Sequence, residues 1–253
     1  MNITVLGSGN MGGALVKGWA KAVRNKQADF SITCTAKTQN NLDKIKTDYP
    51  EVTTMTDNVL ATCNADILVV AVKPWLVDEV IKKVEKVIKP TCLVVSVAAS
   101  VENPKIDVYT MPNIAVEFGE GMSFIKNNES ISVETINKVA ELYKLLGKVM
   151  IVDEKQMNAG NMLAGCGIAY VMRMVRAMMS GGVEMGLYPN VAKEIAMQTM
   201  LGAVTVLENT GLHPEQAIDK VTTAGGLTIK GLNELDHAGF NSAVIRCLKA
   251  GLK

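Results

Sequence analysis

The glycine-rich turn close to the N-terminus places the strongest constraint on the fold of this chain. Its glycines have the spacing G-x-G-x-x-G, directly after the apolar run 3–6 and directly before a helical pattern of apolar residues. In nucleotide-binding sheets, the three glycines allow a tight turn, a close approach of pyrophosphate and close helix packing. The phosphates then face unpaired N–H groups at the helix N-terminus. Glycine-rich turns also occur without a ligand, but this context favours a dinucleotide site. The predicted contacts are Gly7, Ser8, Gly9, Asn10, Met11 and Gly12.

The turn after the second predicted strand, residues 30–34, indicates which dinucleotide binds. An acidic residue about twenty positions beyond the glycines would bind the ribose 2′-hydroxyl of NAD, but this chain has Thr35-Ala36-Lys37-Thr38 there. Hydroxyl groups and a lysine suit a 2′-phosphate, as donors and a positive charge. We therefore predict that NADP(H) is preferred and NAD(H) possible, with Thr35 and Lys37 as contacts. The alternative is an ordinary polar turn.

Composition excludes several classes of function. The 253 residues are 48% hydrophobic and 20% charged, as in ordinary soluble proteins, and a net charge of +1 provides no basic field for nucleic acid. Two distant histidines do not form a histidine-based metal centre. Five scattered cysteines without a C-x-x-C pair, and no signal peptide, predict reduced thiols in the cytoplasm. No apolar run approaches about twenty residues, so we expect no membrane span.

The order of the remaining patterns predicts two domains. Alternating strands and helices predict an α/β Rossmann-type domain over 1–152, and a purely helical pattern follows over 153–253. Ligands of open α/β sheets bind at the carboxyl ends of strands. Lys73 either hydrogen-bonds the cofactor or substrate there or extends from the strand end into water. The residues predicted at this edge after the strands near 66–72 and 93–97 are Ala71, Val72, Lys73, Pro74, Ala98 and Ala99.

The helical half is rich in apolar side chains, small residues and methionine. A helical array this apolar in roughly 100 residues predicts obligate packing against a second copy, which makes this half an all-α dimerisation domain. The alternative is packing against the first domain of the same chain.

A second glycine turn lies between two helices near the C-terminus. Thr223, Gly225 and Gly226 precede Leu227 and Thr228, which lie in the first turn of the next predicted helix. A glycine pair leaves backbone N–H groups free to bind a small carboxylate, and the threonine hydroxyl adds one hydrogen bond. The alternative is a plain glycine break between two helices.

The chain resembles the pyrroline-5-carboxylate reductase family from end to end. No single motif is decisive, but their order and spacing together are specific. These motifs are GSGNMG at 7–12, AVKP at 71–74, SVAA at 96–99, MPN at 111–113, GEGM at 119–122, GxGxAY at 165–170, MGL at 185–187, QTMLGA at 198–203 and TTAGGLT at 222–228.

The resemblance implies a reaction and a role for several residues. In this family, the nicotinamide delivers hydride to the imine carbon of 1-pyrroline-5-carboxylate and forms proline, at a site between the two domains and near the partner chain. Thr228 matches the threonine that hydrogen-bonds the ring nitrogen, and Gly226 and Leu227 match the backbone donors to the carboxylate. Asn58 matches a cofactor contact, and Glu154 a glutamate close to the product.

The chain departs from the family pattern around the substrate more than around the cofactor. Ala224 stands where proline is usual, Cys166 and Ile168 replace the usual serine and proline, and Lys220 replaces an asparagine. Two alternatives therefore stay open. One is an NADP-dependent reductase of a related cyclic imine or a small β-hydroxy acid. The other is an NADP-binding regulatory protein without catalysis.

The preference for NADPH over NADH should depend on the charge of Lys37. A Lys37→Glu variant places a negative charge where a 2′-phosphate is expected, and we expect the preference to fall or reverse. The measurement is the ratio of kcat/KM values with the two cofactors. An unchanged ratio would remove Lys37 from the prediction.

Overall fold

A computed structural model describes residues 1–98, 101–127 and 130–252, and the chain divides into two compact units, 1–165 and 166–253. The predicted boundary at 152/153 lies where the strand signals end, whereas the units divide further along the chain. That boundary stays a prediction.

The first unit is built on one eight-stranded sheet with the order β3-β2-β1-β4-β5-β6-β7-β8. All neighbouring strands are parallel except β6 and β7, which are antiparallel. The order reverses at β1, which lies between β2 and β4, and such a switch point is where open α/β sheets bind ligands. The strands are β1 (Asn2–Leu6), β2 (Ser31–Thr35), β3 (Thr53–Met55), β4 (Ile67–Val70), β5 (Leu93–Ser96), β6 (Val108–Pro112), β7 (Gly121–Lys126) and β8 (Gly147–Val152).

Helices cover both faces of this sheet. Local signals set several of their ends: the Asp57 carboxylate accepts hydrogen bonds from the N–H groups of Val59 and Leu60 and begins α3, as the cap residue should. Short 3₁₀ turns occur at Pro74–Leu76 and Ile114–Phe118, and a π-helical turn at Asn161–Cys166. The helices are α1 (Asn10–Arg24), α2 (Gln39–Asp48), α3 (Asn58–Thr62), α4 (Val77–Val84), α5 (Val133–Lys144) and α6 (Glu154–Gly160).

The largest buried side chains fix α1 and α5 on one face of the sheet. Trp19 and Tyr143 are fully buried, and their rings meet edge to face with centroids 5.6 Å apart. The indole N–H of Trp19 donates to the Leu142 carbonyl at 3.0 Å, and the Tyr143 hydroxyl is hydrogen-bonded to Thr110 at 2.9 Å. Because each buried polar atom has a partner, this apolar core carries little desolvation penalty.

The second unit consists of helices with almost no interior of their own. In the described part of this unit, only Gly167, Gly182, Ala192 and Ala196 are buried. Large apolar side chains are left exposed instead, among them Met172 on α7 and other residues on α8. The helices are α7 (Gly167–Glu184), α8 (Pro189–Thr210), α9 (Pro214–Lys220), α10 (Leu227–His237) and α11 (Phe240–Lys249).

One helical stretch, Glu154–Glu184, is long and contains an apolar window. Within this helical stretch, an 18-residue window has a mean hydropathy of 1.3, so by length and composition alone the stretch is sufficient to cross a membrane. Core and interface helices of soluble proteins share these properties, so the match is weak evidence.

The stability of the first unit should fall in alkaline solution because of Cys92. Burial, with a further effect of the Asp66 and Asp107 carboxylates, raises the pKa of this thiol from 9.0 to about 11. The unfolded chain therefore releases this proton at lower pH than the folded chain, and the free energy of unfolding falls as pH rises from about 9 to about 11.

Denaturant titrations across this pH range should show a shallower decline for Cys92→Ala than for the wild type. The difference in unfolding free energy should change by about 1 kcal/mol between pH 8 and pH 10. Cys63→Ala, which removes an exposed thiol, serves as the control. Parallel curves for Cys92→Ala and the wild type would contradict the prediction.

Candidate active site

The glycine turn after β1 has the geometry that close approach of a ligand requires. Gly7 has a φ of +98°, and a Cβ at Gly12 would lie 1.9 Å from the Gly7 carbonyl oxygen. A Cβ at Gly9 would meet nothing within 4 Å. The first and third glycines are therefore required by the protein itself, whereas the space over Gly9 is open to a ligand.

Thr35 at the end of β2 holds this turn in place. Its carbonyl accepts hydrogen bonds from the N–H groups of Gly7 at 3.1 Å and Ser8 at 2.7 Å, and from the Ser8 hydroxyl at 2.7 Å. Its own hydroxyl accepts from the Gly7 N–H at 3.3 Å. Thr35 is buried, whereas Lys37, two residues on, is exposed. Thr35 therefore positions the glycine turn, whereas the Lys37 side chain extends into solvent.

The N-terminus of α1 lacks side-chain groups that would compete with an anion. Gly9 caps the helix without a side-chain hydrogen bond, and the first turn contains no acidic residue. The N–H groups of Asn10, Met11 and Gly12 have no partners within an α-helix and point out of its end. Together with the helix dipole, these N–H groups favour a negative charge at this end of α1.

Two further lysines, Lys17 and Lys44, lie close to the glycine turn and were not predicted from the sequence. A cavity of about 430 Å³ beside Ser8 and Asn10 is lined by Lys17 and Lys44 among others. Lys17 forms an ion pair with Glu117 at 3.1 Å. Lys44 lies within α2, beyond the turn where a phosphate contact is usually sought, so no local motif marks it.

The other predicted cofactor residues lie at the same edge of the sheet. Residues 71–74 follow β4, with the first two half-buried and the last two exposed, and Asn58 is half-buried at the start of α3. Ala98 is buried after β5, and its N–H donates to the Ser96 hydroxyl at 3.1 Å. Ala99 lies outside the described residues. The structure therefore brings the described candidates together in the segments that follow β1, β2, β3, β4 and β5.

Glu154 lies beside a cavity that also reaches the cofactor edge. This cavity, of about 490 Å³, is lined by Ala98, Tyr109 and Glu154 among others. The exposed Glu154 carboxylate forms an ion pair with Lys126 at 2.8 Å. Sequence reasoning missed Lys126, which ends β7 and meets Glu154 only because β7 and β8 pair in the sheet.

In the second unit, the glycine turn forms a tight cap on α10. Gly225 has a φ of +72°, and the N–H of Gly226 donates to the Thr223 carbonyl at 2.9 Å. A Cβ at Gly226 would lie 2.5 Å from the Thr223 hydroxyl oxygen. Gly226 caps α10 without a side-chain hydrogen bond, and the first turn contains no acidic residue.

Leu227 and Thr228 are the first two residues of α10, and both are exposed. Their N–H groups lack helical partners, and the Thr228 hydroxyl has no hydrogen bond within the described part of the chain. The second glycine turn therefore offers backbone donors and one hydroxyl to a small anionic ligand.

Two family models match successive parts of the chain. One, described as NADP oxidoreductase coenzyme F420-dependent, matches residues 2–100, and the other, described as Pyrroline-5-carboxylate reductase dimerisation, matches residues 154–253. The predicted fold class, an α/β Rossmann-type domain followed by an all-α dimerisation domain, is confirmed. The match to the dimerisation model supports a homo-oligomer.

Relatives match over nearly the whole chain. Pyrroline-5-carboxylate reductase of Glycine max is 32% identical over 98% of this chain and 92% of its own length. Pyrroline-5-carboxylate reductase 1 of Dictyostelium discoideum is 32% identical over 96% of this chain, which spans 47% of that longer relative.

A solved structure has the same fold. The crystal structure of Plasmodium falciparum pyrroline carboxylate reductase with NADP bound has a TM-score of 0.86 at 24% identity, covering 99% of this chain and 95% of that chain. Because the Glycine max relative is 32% identical over nearly the full length of both proteins, the chain belongs to the pyrroline-5-carboxylate reductase family.

Proposed function

We propose that this protein reduces 1-pyrroline-5-carboxylate to L-proline with NADPH. The observation that carries the proposal is the pair of glycine turns in one chain of this family. The turn at 7–12 leaves open space over Gly9 for a pyrophosphate. The turn at 223–228 offers N–H groups at the start of α10 beside the Thr228 hydroxyl, which has no hydrogen bond to another described residue. The relatives named as pyrroline-5-carboxylate reductases match 96% and 98% of this chain.

NADP(H) is the preferred cofactor and NAD(H) a possible one. The structural relative from Plasmodium falciparum was solved with NADP bound. In this chain the first turn of α1 would hold the pyrophosphate, and the exposed Lys37 is free to bind a 2′-phosphate. Further proposed contacts are Gly7, Ser8, Gly9, Asn10, Met11, Gly12, Thr35, Asn58, Ala71, Val72, Lys73, Pro74, Ala98 and Ala99.

The reaction requires little from the protein beyond orientation. NADPH supplies the hydride, and the protonated imine is already electrophilic, so no strong acid is needed. Thr228 hydrogen-bonds the ring nitrogen, while the N–H groups of Gly226 and Leu227 bind the carboxylate, with Thr223 and Gly225 shaping that turn. Holding both reactants in one geometry supplies much of the rate through effective molarity.

Glu154 is proposed to contact the substrate or product. The ion pair with Lys126 directs its carboxylate, and the cavity beside it extends to Ala98 at the cofactor edge. A carboxylate here can attract the cationic nitrogen of the ring while Lys126 limits the net charge.

We also propose that the active protein is at least a homodimer and works in the cytoplasm. The dimerisation-family match supports the assembly. All five cysteines are unpaired in the structure, which fits a reducing compartment.

The test is the loss of NADPH absorbance when purified protein meets 1-pyrroline-5-carboxylate, with NADH run in parallel and proline quantified as the product. Rapid oxidation with stoichiometric proline is the expected result. NADPH binding without oxidation would favour the alternatives, a reductase of another cyclic imine or small β-hydroxy acid or an inactive regulatory protein, and would point to the substitutions at Cys166 and Ala224.

Removing the Thr228 hydroxyl should slow turnover and leave cofactor binding intact. For Thr228→Ala we expect kcat to fall by about 10- to 1000-fold, as for loss of one positioned hydrogen bond. Thr228→Ser should recover much of the rate. The control is Thr205→Ala, whose exposed hydroxyl donates to the Leu201 carbonyl of its own helix. Wild-type turnover in Thr228→Ala would refute this function.

A methyl group at Gly9 should affect the cofactor and not the fold. Gly9→Ala places its Cβ in open space, so thermal stability should be unchanged. NADPH should bind at least about tenfold more weakly, because the added methyl group occupies the space through which the pyrophosphate approaches the backbone. Gly13→Ala is the control, because its Cβ would make an ordinary contact at 3.7 Å with the Ser8 carbonyl. Equal NADPH affinity in Gly9→Ala and the wild type would contradict the assignment.

A further inference from the structure

The two tryptophans of this chain have opposite environments. Trp19 is fully buried in the core, whereas Trp75 is 77% exposed. An indole left mostly in water is unusual, because large aromatic side chains gain most from burial. Trp75 lies in the 3₁₀ turn Pro74–Leu76, directly after the Lys73-Pro74 pair at the carboxyl end of β4. It therefore stands at the edge of the sheet where the cofactor is proposed to bind.

The strand register places this turn next to the two turns that are proposed to hold the phosphates. Leu6 at the end of β1 pairs with Thr35 of β2 on one side and with Val70 of β4 on the other. The chain segments that follow these three residues are the glycine turn, the turn with Lys37, and the turn with Trp75. These three turns therefore lie side by side along the crevice at the carboxyl ends of β2, β1 and β4.

The beginning of α4 lies close enough to the turn after β2 for their charges to interact. Glu79, four residues beyond Trp75, has its pKa lowered mainly by the hydrogen bond from Lys83, and the charge of Lys37 contributes to the same shift. The charge of Lys37, in the turn after β2, therefore affects a side chain in the first turn of α4. Helix α3, which carries Asn58 and the exposed Leu60, also packs against α4.

This arrangement separates the two halves of the cofactor. With the pyrophosphate at α1 and the 2′-phosphate at Lys37, the adenosine half lies on the β2 side of β1. The nicotinamide half then extends towards β5 and Ala98. The adenine ring is planar and aromatic, and the exposed indole on the adenosine side offers it a matching face.

We propose that Trp75 binds the adenine ring of NADP(H) by stacking its indole against the base. This inference rests on the proposed function, since it assumes that NADP(H) occupies the crevice. It assigns to Trp75 the affinity for the adenosine half and no part in hydride transfer.

The probe is 2′,5′-ADP, which carries the adenosine half with both phosphates and lacks nicotinamide. Stacking on Trp75 should quench the long-wavelength emission of the exposed indole and leave that of the buried Trp19. In Trp75→Phe this quenching should vanish, although the ligand still binds, since phenylalanine also stacks.

Affinity provides the second readout. For Trp75→Ala, the Kd values of 2′,5′-ADP and NADPH should rise by about 5- to 100-fold, the range for loss of one base–aromatic stack. The kcat at saturating NADPH should stay at the wild-type value. Trp75→Phe should keep most of the affinity. Phe118→Ala is the matched control, because it removes another exposed aromatic ring, one that lies against the Lys21 ammonium.

These measurements distinguish failure of the stacking inference from failure of the proposed function. One outcome is that the wild-type protein reduces the imine, but Trp75→Ala binds 2′,5′-ADP with the same Kd as the wild type. This outcome would overturn the role of Trp75 and leave the proposed function standing. Unquenched Trp75 emission in wild-type protein saturated with 2′,5′-ADP would do the same. Wild-type protein that binds neither 2′,5′-ADP nor NADPH would overturn the inference and the proposed function together.

Discussion

The close packing of α1 against the end of β1 is the constraint on which the cofactor crevice depends. The Gly7 carbonyl occupies the space of a side chain at position 12, and the Ala71 methyl group lies 2.9 Å from that same space. Because helix, first strand and fourth strand meet within these few ångströms, the N–H groups of α1 are aimed at a fixed point. The bonds from Thr35 then set the turn against β2.

Most of the fold could be predicted from the sequence because its signals are local. The apolar runs of β1, β4 and β5, the glycine spacing and the Asp57 cap each specify structure within a few residues, and each is present in the structure. The second glycine turn was equally visible, since the Gly225-Gly226 pair marks both a positive φ and a helix start.

The features that the sequence could not reveal depend on contacts between distant residues. Lys126 and Glu154 form their ion pair because β7 pairs with β8, and no local sequence motif at either residue predicts this contact. Thr35 was predicted as a cofactor contact, but its hydrogen bonds to Gly7 and Ser8 appear only when β1 and β2 lie side by side. The exposure of Trp75 is also a tertiary property, because apolar patterns do not distinguish an outward indole from a core one.

The helical unit has one further consequence for how the protein behaves. Four small residues are buried in its described part, so the hydrophobic stabilisation of this half must come from another molecule. Folding and association then form one equilibrium, in which chain concentration acts as a stabilising ligand. Dilution alone lowers the melting temperature of such a protein, and a cell that makes few copies keeps a smaller fraction of them folded.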